Sequence, residues 1–297
     1  MSRSPANPDA LLRRLEWTVI RRLDGLLQGD YRTLFRGFGL DLADIREYQY
    51  HDDVRHIDWN VTARLATPYV REYNEDREVT AWFLLDMSPS VEFGSADVRK
   101  RSVLADFVTV LARLLTKHGN RVGALIYGDG VEQVVPARSG RRHVLHILNT
   151  MLTRPPLKRA ATTNLQDFLA TAFAVMPRRS LVFVISDFVS VPGWERSLEL
   201  LARRHEVLAI RLVDPRELEL PDLGPMIVED AETGEQLYVD THDRGFRERF
   251  ATAVAARERA LTLAFGRAGV DAVTISTDED LVRAIVRIAA RRRMRRA

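Results

Sequence analysis

The chain has 297 residues, a formal net charge of +3, 46% hydrophobic residues and no cysteine. This length and composition predict a globular protein of one or two domains, and the lack of cysteine excludes disulfide frameworks, thiolate zinc sites and cysteine nucleophiles. The N-terminus has no signal-peptide core, and no stretch approaches the roughly 20 apolar residues of a membrane span, so we expect a cytoplasmic protein.

The N-terminal part combines a periodic segment with an irregular one. Apolar residues recur at helical spacing from Pro8 to Leu27, which predicts an amphipathic helix. The segment that follows is rich in glycine, aromatic and charged residues and shows no clean period, so we expect an extended arm with short strands. Together they form a predicted first unit of residues 1–75.

Residues 76–297 show a different pattern, in which buried strands alternate with amphipathic helices. The strands include "EVTAWFLLD", "NRVGALIYGDG", "SLVFVISDF", "EVLAIRLVD" and "VDAVTIST". Such alternation predicts crossover units and a mostly parallel sheet that is covered on both faces. The segment "VEQVVPAR" contains a proline and is predicted as an edge strand, and "PMIVEDAETGEQLYVD" is predicted as a hairpin.

Polar side chains follow two of the predicted strands. Asp86 ends one strand and is followed by Ser88 and Ser90 at alternate positions, and Asp187 ends another strand. Because the carboxyl ends of parallel strands form the ligand-binding edge of such sheets, we expect these oxygens to converge. An oxygen-only donor set suits hard divalent cations, and the sequence therefore predicts a magnesium-type site.

The motifs "DMSPS", "TTN" and "ISD", in this order, resemble the metal-ion-dependent adhesion site of von Willebrand factor A-like domains. The resemblance implies an α/β, Rossmann-like, doubly wound fold with a mostly parallel sheet, and Mg²⁺ (or Mn²⁺) as the cofactor. In many relatives a glycine stands where Phe188 follows the aspartate. The metal ligands implied by the resemblance are Asp86, Ser88, Ser90, Thr163 and Asp187, with Thr162 as the alternative threonine.

The arm sequence "REYQYHDDVRHIDWNVTARLATPYVREYNEDRE" resembles the signature of the bacterial domain of unknown function 58 family. His51 replaces a glycine of that signature, and Thr62 replaces a serine. The resemblance extends from about Gly37 to the last strand. It implies a non-enzymatic, metal-dependent protein-binding adaptor that partners a MoxR-type AAA+ ATPase in chaperone-like assembly or maturation of protein complexes.

Two features leave alternatives open. A metal-dependent phosphoesterase using Asp86 is the second functional hypothesis, although Ser88 stands where a general acid is needed and cannot act as one near neutral pH. For "HDDVRHIDW" we favour a structural clamp with Arg–Asp pairs and a buried Trp59 over a partner-docking loop. Arginines near both ends lack the aromatic or helix-turn-helix context of nucleic-acid binding, so we expect solvated helix ends.

Overall fold

The structure is a computed structural model that describes residues 7–26, 41–50, 52–74, 79–157 and 162–296. Side chains of residues 41–44, 71–74 and 292–296 are not described. His51 and the start of the predicted arm therefore lie outside the described residues. The chain forms two compact units, one drawn from Met1–Gln28 and Thr80–Ala297 and the other from Gly29–Val79.

The N-terminal helix belongs to the larger unit. It comprises α1 (Pro8–Leu15), a π-helical turn (Glu16–Ile20) and α2 (Arg21–Leu26). The predicted division at residue 75 joined this helix to the arm, and the structure differs because the helix has its own anchors in the larger unit. Leu12 and Leu23 are fully buried, and Arg113 donates a 2.7 Å hydrogen bond to Glu16.

The smaller unit is an antiparallel strand pair with short helices between the strands. Its elements are β1 (Asp41–Glu47), a 3₁₀ turn (Val54–His56), α3 (Trp59–Leu65) and β2 (Tyr69–Asn74). Asp58 caps α3, because its side chain accepts hydrogen bonds from the backbone N–H groups of Asn60 and Val61, which lack helical partners. The expected burial of Trp59 is wrong: as the first residue of α3 it is 70% exposed. Arg46 does pair with Asp52, at 2.8 Å, within the unit.

The larger unit is a mixed α/β fold with a mostly parallel central sheet, as predicted. Six strands lie in the order β10-β7-β6-β3-β4-β5, and only β5 at one edge runs antiparallel to its neighbour. Strands β8 and β9 form the predicted hairpin as a separate two-stranded sheet. The bounds are β3 Thr80–Asp86, β4 Arg121–Tyr127, β5 Val131–Arg138, β6 Leu181–Ser186, β7 Glu206–Val213, β8 Pro225–Glu229, β9 Gln236–Asp240 and β10 Asp271–Ser276.

Helices cover the sheet. Along β3 the side chains of Trp82 and Leu84 enter a core cluster with three helices, whereas Phe83, which points the other way, stacks on Phe183 of β6 with centroids 5.4 Å apart. This two-sided burial explains why the parallel strands read as continuous apolar runs. The remaining helices are α4 Lys100–Lys117, α5 Arg141–Thr153, α6 Leu165–Val175, α7 Trp194–Arg204, α8 Pro215–Leu218, α9 Arg244–Ala268 and α10 Leu281–Arg296.

Helix α4 begins later in the chain than the sequence pattern predicts. The pattern predicts a helix from Ala96, but α4 begins at Lys100. Asp214 accepts hydrogen bonds from the backbone N–H and hydroxyl of Ser95, so the chain bends before the helix begins. None of the described helices is long and apolar enough to cross a membrane.

Candidate metal centre

The loop after β3 holds two serine hydroxyls side by side. Ser88 and Ser90 are buried, and their Oγ atoms lie 3.1 Å apart. Pro89 begins a 3₁₀ turn over Pro89–Glu92, which fixes the backbone between them. Arg154 clamps the loop from outside by donating a 2.9 Å hydrogen bond to the carbonyl of Met87. The alternation seen in the sequence therefore does bring the two hydroxyls together.

Asp86 lies at the bottom of this loop and is fully buried. It accepts hydrogen bonds from the backbone N–H of Ser88 (3.0 Å) and from the hydroxyl of Ser186 (2.6 Å). Burial and the neighbouring negative charge of Asp187 raise the pKa of Asp86 from an ordinary 3.8 to about 6. A carboxylate of this kind is under-compensated by the protein, and a bound cation would stabilise its charged form.

Asp187 follows β6 and has a cation of the chain beside it. Lys100, the first residue of α4, is fully buried and donates to Asp187 (2.8 Å) and to Glu217 (2.7 Å). Burial by itself would lower the pKa of Lys100, but the charges of Asp187 and Glu217 outweigh it and raise that pKa above its ordinary value. Two carboxylates therefore contact one ammonium group, and the negative charge of Asp86 acts on the first of them, so these groups carry excess negative charge when all three carboxylates are ionised.

The backbone turns sharply after Asp187. Phe188 has φ of 58°, the left-handed conformation that glycine adopts without steric cost. Glycine is the residue that the resemblance to adhesion-type sites leads one to expect at this position, and the observed φ is one that glycine favours. Its strain is offset by packing, because the Phe188 ring lies 4.9 Å from Phe265 and 5.4 Å from Trp194 between centroids. The N–H of Phe188 donates to the hydroxyl of Ser186.

The structure distinguishes the two candidate threonines. Thr163 is buried, whereas Thr162 is exposed. The carbonyl of Thr163 accepts from the hydroxyl of Ser190 (2.8 Å), which ties it to the loop that begins at Asp187. Its own hydroxyl donates to Glu232, in the turn between β8 and β9, at 2.5 Å. Thr163 thus joins the same edge of the sheet, but its hydroxyl is already engaged.

The donor set fits a magnesium-type ion. Ligands bound to Mg²⁺ at about 2.1 Å in an octahedron stand about 3.0 Å apart along each edge, close to the separation of the two serine hydroxyls. In the described part of the chain no three His, Cys, Asp or Glu side chains cluster as a metal site. The candidate centre instead relies on neutral hydroxyls with nearby carboxylates. Asp86, Ser88 and Ser90 would supply the oxygens, with Asp187 alongside.

Sequence reasoning missed three charged residues of this region. Lys100, Glu217 and Glu232 reach the site from α4, α8 and the hairpin turn, across 69 to 117 residues of chain. No local motif marks them. Ser186 was inside the quoted "ISD" motif, and its position just before the aspartate is the one signal that pointed to it.

Comparison with solved structures gives distant likenesses. BatB from Bacteroides thetaiotaomicron, described as a conserved hypothetical protein, is 12% identical with a TM-score of 0.47, over 72% of this chain and 98% of that one. The manganese-loaded TRAP protein of Plasmodium vivax is 17% identical with a TM-score of 0.34, over 45% of this chain and 57% of that one.

Comparison by sequence gives much closer relatives. The uncharacterized protein Rv1480 of Mycobacterium tuberculosis is 40% identical over 288 residues, which is 96% of this chain and 89% of the relative. The uncharacterized protein Mb1516 of Mycobacterium bovis shows the same identity and coverage. Residues 44–260 match the family described as "Protein of unknown function DUF58", in agreement with the resemblance seen in the arm. This chain belongs to the DUF58 family.

Proposed function

We propose that this chain is a non-enzymatic adaptor that binds other proteins through Mg²⁺ or Mn²⁺. In this proposal the larger unit is von Willebrand factor A-like, and its partner is a MoxR-type AAA+ ATPase in chaperone-like assembly or maturation of an unidentified client. The ion would be held by Asp86, Ser88, Ser90, Thr163 and Asp187.

The observation that carries this proposal is the buried hydroxyl pair of Ser88 and Ser90 beside the under-compensated carboxylate of Asp86. Such a donor set supplies few negative charges directly, so it leaves a divalent ion under-neutralised. An acidic side chain from a partner protein would complete the charge balance, and metal-dependent protein binding follows from that chemistry.

Calorimetric titration with Mg²⁺ and with Mn²⁺ tests the site. We expect one site in the wild type and no measurable binding in the Ser88→Ala/Ser90→Ala double variant. Ser95→Ala is the matched control, because Ser95 contacts Asp214 and not this loop, and it should bind metal like the wild type. Equal binding by the double variant and the wild type would refute the metal site.

The partner half of the proposal needs its own experiment. A MoxR-type ATPase from the same genome should be captured by the immobilised wild-type chain in Mg²⁺ and released by chelator. The double serine variant should capture none in either buffer. Capture that ignores both chelator and variant would show that any contact with the ATPase does not use this site.

The phosphoesterase alternative is supported by no comparable observation. Both oxygens of Asp86 accept hydrogen bonds, its side chain is fully buried, and Ser88 occupies the place of a general acid. Hydrolysis of p-nitrophenyl phosphate that disappears in Asp86→Asn would favour that alternative. We expect no hydrolysis above background in either protein.

A further inference from the structure

Glu232 is a buried carboxylate with an unusual pair of partners. It lies in the turn between β8 and β9 and is 6% exposed. Its two oxygens accept from the backbone N–H of Thr163 (3.0 Å) and from the hydroxyl of the same residue (2.5 Å). No lysine, arginine or histidine of the described residues pairs with it. Both donors observed on this buried carboxylate belong to one residue, and that arrangement calls for an explanation.

The partner residue provides that explanation. Thr163 presents two donors, one from the backbone and one from the side chain, that converge on a single carboxylate. Two convergent donors of this kind recognise a carboxylate by geometry as well as charge. Thr163 is also tied, through the hydroxyl of Ser190, to the loop that begins at Asp187. The two donors therefore form a carboxylate-binding subsite that adjoins the Asp187 loop of the candidate metal centre.

The hairpin that carries Glu232 has an ordered tip and largely exposed strands. Asp230 accepts hydrogen bonds from the backbone N–H of Glu232 (2.9 Å) and of Thr233 (2.8 Å), which holds the tip in one conformation. The strands behind the tip are outside the central sheet and carry exposed residues, with Ile227 63% and Tyr238 70% exposed. Few buried contacts oppose withdrawal of such a tip from its subsite.

We propose that the two donors of Thr163 form the acceptor site for an acidic side chain of a protein partner, and that Glu232 occupies this site as the chain's own competitor. The ligand class is a glutamate carried on a tight turn, because that is the group the subsite already binds. The proposal rests on the proposed protein-binding function for its partner. It adds the recognised side chain, and it makes the hairpin an internal block that a partner must displace.

A synthetic peptide of residues 225–240 is the probe, in a Glu232 form and in a form with glutamine at that position. A tethered group competes at an effective concentration of the order of millimolar. The Glu232→Ala chain should therefore bind the glutamate peptide at least about tenfold more tightly than the wild type does, and should not bind the glutamine peptide. Glu229→Ala is the matched control, since Glu229 is an exposed hairpin residue that contacts Gln236, and it should behave like the wild type.

Hydrogen exchange gives a second readout that does not depend on peptide affinity. The amide of Thr163 should exchange faster in Glu232→Ala than in the wild type or in Glu229→Ala. If Glu232→Ala does not melt cooperatively, Glu232→Gln keeps the size of the side chain and takes its place in both measurements.

Three results would overturn the proposal: equal peptide binding by wild type and Glu232→Ala, equal binding of both peptides, or no binding by Glu232→Ala. Titration of the same proteins with Mg²⁺ separates this proposal from the metal-site proposal. Metal binding without discrimination between the peptides would remove the subsite and leave the metal centre. Discrimination between the two peptides without metal binding would remove the metal centre and leave the subsite.

Discussion

Asp86 and Asp214 are two aspartates at the carboxyl edge of one sheet, and both are fully buried. Asp214 follows β7 and accepts from the N–H and hydroxyl of Ser95, the N–H of Arg216 and the hydroxyl of Thr277. Burial would raise the pKa of Asp214, but these hydrogen bonds outweigh it and lower that pKa below its ordinary value. Its charge is stabilised entirely by neighbouring groups of the chain.

Asp86 has half as many donors and a negative neighbour in Asp187, so its pKa is raised to about 6. The two aspartates share sequence context, burial and sheet edge, and differ in how many donors reach them. A strand-end aspartate that is saturated with donors holds a loop in place. One that is short of donors next to a second carboxylate is suited to bind a cation. The following variants test that distinction, from the largest expected effect to the smallest.

Removal of the ammonium group beside Asp187 should have the largest effect. Lys100→Met leaves the buried carboxylate of Asp187 and the partly exposed one of Glu217 without their cation, which should cost about 3–5 kcal/mol of unfolding free energy in chelator. Millimolar Mg²⁺ should restore part of this loss, because a divalent ion supplies the missing charge. Urea unfolding with and without Mg²⁺ measures both effects. Lys117→Met is the control, since its pair with Asp24 is partly exposed, and it should lose at most about 1 kcal/mol.

Asp214→Ala should destabilise the fold with no response to metal. The change removes the acceptor for four donors, including the N–H and hydroxyl of Ser95, and we expect a loss of about 3 kcal/mol. Unfolding curves in Mg²⁺ and in chelator should shift equally relative to the wild type. A rescue of Asp214→Ala by Mg²⁺ would show that both strand-end aspartates serve one cation site and would break the comparison.

Asp86→Asn should raise the stability of the metal-free protein, whereas the two preceding variants lower it. Because the folded-state pKa of Asp86 is raised, ionisation costs stability as pH rises from about 4 through about 6. An uncharged amide avoids this cost, so the variant should be more stable than the wild type at pH 7.5, by up to about 3 kcal/mol. The two proteins should converge below about pH 3.8, where Asp86 is protonated in both the folded and the unfolded state. Thermal unfolding across this pH range in chelator gives the difference, and an advantage that is constant with pH would contradict the assignment.

The smallest effects are expected from two serine variants. Ser95→Ala removes a hydroxyl donor from Asp214 and should cost about 1–2 kcal/mol without altering metal binding. Ser90→Ala removes a hydroxyl that contacts another hydroxyl, and should cost less than about 1 kcal/mol while weakening metal binding strongly. Unfolding and calorimetry on the same samples compare them. Equal losses of stability with equal metal affinity would contradict the distinction between the surroundings of Asp86 and Asp214.

The fold was accessible to sequence reasoning because its signals are local. Continuous apolar runs marked the parallel strands, a proline marked the edge strand β5, and the segment "PMIVEDAETGEQLYVD" marked the hairpin. Trp59 shows the limit of this approach. An aromatic beside isoleucine suggested burial, but the neighbouring Asp58 caps α3, and Trp59 in the first turn of that helix is exposed.

The candidate site was predictable only where its residues are close in sequence. Asp86, Ser88 and Ser90 converge because a single loop carries them at alternate positions. Lys100 and Glu232 arrive from elements fixed by the tertiary fold, and a lysine at a helix start or a glutamate in a turn is ordinary by itself. Their importance follows from what they contact, and such contacts have no period or spacing that a sequence pattern can display.

The edge strand β5 has a consequence for solubility. An unpaired strand edge is a template on which a second copy of a protein can add its own strand. Pro136 lacks an N–H, and the register with β4 shifts twice, between Val122 and Ala124 and between Ile126 and Tyr127. These irregularities interrupt the row of backbone groups that edge-to-edge growth requires. A second copy of this chain would therefore pair poorly with the free edge of β5.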